Sequence, residues 1–268
     1  MTELDPNSSS WDYFITHMKR VRGELGISGE ALGKRINCTK GQISNVENKA
    51  RRPTLRLAGA LDGLPNVPPD MFTPLIPRIE EEIGFPPGFL DYLEEEARAS
   101  QLRMYFQYMV PGIFQTVDYA RAVLGAANRA NRIDELLATR MERQEILVRD
   151  EPPSVVALLE EHVVRKIVGS REIARGQLAR LLELCREPHV TIQIVPDDAA
   201  VYPESSATLL SFIDGPDSAY QEGLGGRGAL IEAGREVARM ATLFEQIRAV
   251  ALAPPDSAAL IREVWEAR

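Results

Sequence analysis

SGEALGKRINCTKGQISNVEN, residues 28–48, holds two short helical patterns with almost nothing between them. Ser28 can N-cap the first, and Ala31, Leu32 and Ile36 share one face of a helix that runs to Asn37. Thr39 opens the second with Gln42 three residues on, the spacing at which each side chain satisfies an orphan backbone N–H of the other. Ile43 and Val46 give this helix an inward face and leave Lys40, Gly41, Ser44 and Asn45 outward. Two short helices joined by a very short turn can place the second in a DNA major groove. There Lys suits guanine, Asn suits adenine in a bidentate pair, and the helix N-terminus at Thr39 suits a phosphate. The candidate DNA-binding set is Thr39, Lys40, Gln42, Ser44, Asn45, Lys49, Arg51 and Arg52.

The flanks complete a small bundle. Phe14, Met18, Val21 and Leu25 mark an amphipathic helix from Asp12 that Gly26 stops. A fourth helix starts near Thr54, after Pro53, and turns Leu57, Ala58 and Leu61 inward. From His17 to Arg56 ten basic residues stand against three acids, whereas residues 75–268 hold 21 basic and 31 acidic residues, within a net charge of −8. A basic head on an acidic body suits a protein that meets a polyanion through one end, although a solvated charge run alone gives the same count.

Residues 62–90 carry seven prolines, which break periodicity and mark a boundary, with the acids Glu80 to Glu82 expected at the surface. The expected domains are 1–75, a linker at 76–93, and 94–268. Beyond Glu94 the patterns predict strands at 102–109, 154–159, 190–195, 208–213 and 218–222. Helices are expected at 89–99, 118–127, 131–148, 172–186, 235–249 and 256–266. The fold class is therefore α+β: an all-α helix-turn-helix bundle followed by a mixed α/β domain. The opening residues show no leader pattern and no apolar run spans a bilayer, so the expected location is the cytoplasm, at the nucleoid when bound to DNA. Cys38 and Cys185 form neither a disulfide framework nor a zinc motif.

At Met18-Lys19-Arg20-Val21-Arg22, Leu32, Ile36, Thr39, Ile43-Ser44, Val46-Glu47-Asn48 and Arg51-Arg52-Pro53 the head resembles the Xre family of regulators, which includes the lambda-type phage repressors. That resemblance implies a buried ion pair between Arg22 and Glu47, tying the first helix to the recognition helix. The chain departs from the family at Gly29, where Gln is usual, at Gly41 within the recognition helix, at Gly33 for a sterically replaceable Ala, and at Lys49 for the Gly that ends the helix. From about Glu94 the chain resembles the domain of unknown function that follows such a head in the WhiJ-like regulators of actinobacteria. The matching words are 110–116 (VPGIFQT), 119–121 (YAR), 140–144 (RMERQ) and 190–196 (VTIQIVP). This implies a transcriptional regulator often paired with a small BldB-like protein.

Gln115, Arg121, Arg140, Arg143 and Gln144 are candidates for partner or ligand binding; a turn with a helix cap at 115–116 and a solvated helix face at 140–144 are the plainer readings. Enzyme signatures are poor. Glu160-Glu161-His162 is not HExxH, Asp197-Asp198 reads as a surface turn rather than a metal site, and Ser205-Ser206 lacks a nucleophile elbow. The glycines of 223–228 read as a mobile hairpin between strands rather than a P-loop. No cofactor or metal is expected. The expectation is a sequence-specific, double-stranded-DNA-binding regulator, a homodimer whose C-terminal domain binds an effector or partner and supplies most of the dimer contact. The alternative is an antitoxin-like module that sequesters a small partner.

Overall fold

A computed structural model describes residues 8–49, 52–82, 85, 88–126, 133–223 and 228–268. It divides into two units, residues 1–91 and 92–268.

The first unit contains α1 (Ser10–Glu24), α2 (Gly29–Arg35), α3 (Lys40–Glu47), α4 (Leu55–Asp62), α5 (Leu75–Glu82) and the start of α6 (Phe89–Arg98). The Ser9, Ser28, Thr39 and Thr54 hydroxyls each accept a backbone N–H at the start of α1 to α4, as a cap should. Gly26 ends α1 with a left-handed φ of +64°, which lets the Ile27 N–H reach back to the Arg22 carbonyl at 3.2 Å. One core gathers Phe14, Met18 and Val21 of α1, Leu32 of α2, Ile43 and Val46 of α3, and Leu57 and Leu61 of α4. Phe72, Ile76 and Ile79 belong to the same core.

The expected linker at 76–93 is therefore corrected in its first part, because α5 is a packed helix of the head. Its proline misled the reading: Pro77 sits in the first turn of α5, where a missing N–H costs no helical hydrogen bond. Glu80, expected at the surface, is fully buried.

The second unit is built on a six-stranded sheet of order β3-β2-β1-β4-β5-β6. Its strands are β1 (Gln101–Phe106), β2 (Ser154–Glu160), β3 (Val190–Val195), β4 (Ala207–Ser211), β5 (Ser218–Glu222) and β6 (Gly228–Ile231). β1, β2 and β3 run parallel, with Met104 opposite Ala157 and Ala157 opposite Ile192. β4, β5 and β6 continue antiparallel from β1. The helices are α7 (Val117–Ala126), α8 (Ile133–Glu142), α9 (Glu161–Arg165), α10 (Arg171–Leu184), α11 (Gly234–Val250) and α12 (Pro254–Glu266). Val156 and Leu158 alternate with Val155, Ala157 and Leu159, and all five are buried, so β2 is covered on both faces. α11 lays Val237, Phe244 and Ile247 against Tyr105, Val156, Leu158, Leu209 and Ala219. Val237, Phe244 and Ile247 of α11 are thus spent on the sheet, while Leu243 and Val250 remain exposed. β6 completes the hairpin expected at 223–228, whose residues 224–227 lie outside the described ones. No helix of the described residues is long and apolar enough to cross a membrane.

Candidate nucleic-acid interface

The recognition helix is fixed at both ends. At its start Thr39 Oγ1 accepts the Gln42 N–H at 3.1 Å and Gln42 Oε1 accepts the Thr39 N–H at 2.7 Å. These two candidates shape the helix, and Gln42 keeps both amide N–H donors for another contact. The turn before it is closed by the Cys38 N–H, which donates to the Gly33 carbonyl at 2.7 Å with Asn37 left-handed at φ +54°. A Cβ on Gly33 would stand 2.5 Å from the Cys38 carbonyl oxygen, so the alanine usual in Xre-type heads does not fit this turn. Glycine at position 33, expected only to be a tolerable replacement for that alanine, is the residue this turn requires.

Ile43 and Val46 are buried, as their spacing predicts, and Lys40, Gly41, Gln42, Ser44 and Asn45 are exposed together. The Asn48 side-chain N–H₂ donates to Ser44 Oγ at 3.2 Å, which leaves the hydroxyl hydrogen and a lone pair of Ser44 free for a base or phosphate. Asn45 and Lys40 have no partner among the described residues.

Two expected contacts fall differently. Lys49 adopts φ +57° where a glycine would be at ease, and its ammonium lies 2.8 Å from Asp12 Oδ2. Arg52 is turned inward: its Nη2 is 3.0 Å from Asp91 Oδ1, its Nη1 3.7 Å from Glu80 Oε1, and its side chain is 8% exposed. As a DNA contact it is corrected, since two buried carboxylates claim its charge. Burial raises the Glu80 carboxyl above the ordinary range, against the lowering effect of the Gly88 N–H and Arg52. Arg51 lies outside the described residues.

Arg22 Nη2 is 3.1 Å from Glu47 Oε1, linking α1 to α3 as the resemblance implied. The pair is less buried than expected, at 29% and 17% side-chain exposure, and its alignment falls short of a hydrogen bond.

Two cations emerge that pattern reading passed over. Arg35 and Arg56 are exposed and, among the described residues, form no ion pair. Arg56 acts electrostatically on Cys38, whose thiol burial pushes up and this guanidinium pulls down, so its charge reaches the turn that leads into α3. Sequence separation hid this, because Arg56 belongs to α4.

The C-terminal candidates form a closed polar network instead of a free stripe. Gln115 is 1% exposed; its Nε2 donates to the Val110 carbonyl at 2.7 Å and its Oε1 accepts from Arg140 Nη1 at 2.9 Å. Gln144 Nε2 donates to the Gln115 carbonyl at 2.6 Å. Arg143 bonds both oxygens of Glu96 at 2.8 and 2.9 Å and lies over the Tyr92 ring. Neither the solvated face nor an open anion site describes these residues. Arg121 pairs with Asp134 at the surface, 2.8 Å away.

A groove of about 720 Å³ opens between the sheet and α11, lined in part by Arg103, Tyr105, Tyr202, Gln221, Met240 and Phe244. Arg103 Nε is buried in this region without a hydrogen-bond partner among the described residues, while its Nη2 lies 3.7 Å from Asp217 Oδ2.

The helix-turn-helix family model matches residues 18–72, and that of a domain of unknown function, DUF5753, matches residues 89–263. No curated protein matches the chain. The first unit is thus a helix-turn-helix of the Xre-like, DNA-binding type.

Proposed function

We propose that this chain, which belongs to the DUF5753 family, is a sequence-specific transcriptional regulator whose C-terminal domain alters operator occupancy when it binds an effector. The observation that carries the reading is the recognition helix itself. Its capping box and its Ile43 and Val46 anchors hold Lys40, Ser44 and Asn45 on one exposed face. Asn45 reads a base, Lys40 and Ser44 serve base or phosphate, and Arg35 and Arg56 add phosphate contacts. The succession of a helix-turn-helix and DUF5753 supports the WhiJ-like likeness.

The groove beside α11 supports a small effector over the partner-sequestering, antitoxin-like alternative. Its volume is that of small-molecule sites, and Arg103 brings a buried donor to a wall in which apolar Met240 and Phe244 stand beside charged Glu204, Glu236 and Arg239. Two copies would read half-sites about 34 Å apart, because one recognition helix spans few base pairs. Light scattering with and without operator tests that assembly, and a pull-down tests a BldB-like partner.

The experiment for the regulator reading is competition binding on a selected duplex. Asn45→Ala should lose about 1–3 kcal/mol on the selected site and little on random DNA. Equal loss on both removes Asn45 from base readout.

A further inference from the structure

β1, β2 and β3 run parallel, so their carboxyl ends lie side by side at one edge of the sheet. In open sheets with parallel strands that edge is the usual ligand side. Here three potential ligands meet. Glu160 is the last residue of β2, His162 follows two residues later, and Asp197 stands two residues beyond β3. One ligand atom from each lies within 4.8 Å of the others. Gln107, the first residue past β1, contributes its carbonyl oxygen to the same place.

The imidazole shows what is needed between them. His162 Nε2 is 2.5 Å from the Gln107 carbonyl oxygen and Nδ1 is 3.2 Å from Asp197 Oδ1. A carbonyl can only accept, so Nε2 bears the hydrogen, and in the neutral ring Nδ1 presents a lone pair. That lone pair faces a carboxylate oxygen, also an acceptor. A metal cation between these two acceptors would satisfy both. Neither Glu160 nor Asp197 forms an ion pair with Lys or Arg among the described residues.

The surroundings also orient the ligands as metal sites do. A ligating histidine normally anchors its other ring N–H on a carbonyl or carboxylate, and ligating carboxylates are themselves hydrogen-bonded. The Gln107 carbonyl anchors His162, the Tyr105 hydroxyl donates to Glu160 Oε1, and the His162 backbone N–H donates to Asp197 Oδ1 at 3.2 Å.

We propose that Glu160, His162 and Asp197 form a binding site for a divalent transition-metal ion, Zn²⁺ being the simplest occupant. One imidazole nitrogen and two carboxylates are a mixed donor set suited to such ions, and three protein ligands leave a coordination position open. The ion would tie the carboxyl end of β2 to that of β3. This site belongs to the second unit alone and does not rest on the DNA-binding reading.

The test uses the full-length protein, stripped with EDTA and titrated by calorimetry with Zn²⁺ and by visible absorption with Co²⁺. The expected result is one ion per chain, with Co²⁺ d–d bands and no thiolate charge-transfer band. His162→Gln and Asp197→Asn should each weaken binding by more than about 100-fold, since even outer-shell partners are worth about 10–100-fold. Asp198→Asn, at the exposed neighbouring position, should bind as the unaltered protein does. Absence of uptake at millimolar metal would overturn the site. So would uptake that His162→Gln and Asp197→Asn leave unchanged. A thiolate band would place the ion on a cysteine instead. The Co²⁺ spectrum of the unaltered protein decides the matter even where a variant fails to fold.

Discussion

Arg52 lies in a basic run that invites a phosphate, yet its guanidinium sits between Asp91 and Glu80 in the interior of the head. Composition cannot distinguish these fates; the acids that claim the charge are 28 and 39 residues away in sequence. Arg52→Ala should leave two buried carboxylates without their cation and cost about 3–5 kcal/mol, read as a lower urea midpoint. Glu47→Ala should cost about 1 kcal/mol, because the Arg22 pair is partly open to water. Equal midpoints would contradict this ranking. Asp12 adds a pH signature. Burial opposes its ionisation, but hydrogen bonds from Lys49, Ser8 and Ser9 together outweigh burial and hold the carboxyl below its ordinary value. A depressed folded value gives stability that is present above the unfolded value near 4 and is lost as pH falls through the folded one. Asp12→Asn should therefore be less stable than the unaltered protein at pH 7, and the gap should narrow toward pH 2. Glu80, raised by burial, has the opposite sign: its effect weakens the fold as pH rises above the ordinary carboxylate value, and it cancels in this comparison. A gap that stays constant with pH would remove Asp12 from the account.

At the scale of elements, the recognition helix was legible because its signals are local. Thr39 and Gln42 announce a capping box by spacing alone, and Ile43 with Val46 announces the buried face. Thr39→Ala should cost about 1 kcal/mol of head stability and weaken DNA binding with it. Gly33→Ala should also destabilise, since the added methyl meets a backbone carbonyl that cannot move without opening the turn. A variant that melts at or above the unaltered temperature would show that the turn yields. What escaped reading depended on contacts far apart in the chain. The residues of α5 looked like linker because their prolines were read as breakers, though Ile76 and Ile79 keep helical spacing. Five of the six strands could be read from their apolar runs, but β6 and the order of the sheet could not. It was therefore hidden that the ends of β2 and β3 bring His162 and Asp197 together across 35 residues. The polar stripe at Arg140, Arg143 and Gln144 has the spacing of a solvated face, and only tertiary contacts show it bonded to Gln115 and Glu96.

For the whole molecule, the division of charge sets the expected behaviour. The basic excess lies in the helix-turn-helix region, while residues 75–268 carry an excess of acids, 31 against 21 basic residues. DNA binding should therefore fall steeply with salt, the slope of log K against log salt being about −0.9 for each phosphate neutralised on duplex DNA. Arg56→Ala should weaken binding on every sequence and make that slope shallower by about 1, a change read from anisotropy titrations at several salt concentrations. An unchanged slope would place Arg56 away from the backbone. The most direct measurement is selection by the full-length protein from a pool of random duplexes, repeated with Asn45→Ala. The account predicts a short recurrent sequence bound at least about 1,000-fold more tightly than random DNA, with the preference relaxed at one base position in the variant. A pool that shows no enriched sequence, or an enriched sequence that Asn45→Ala leaves unchanged, would contradict it.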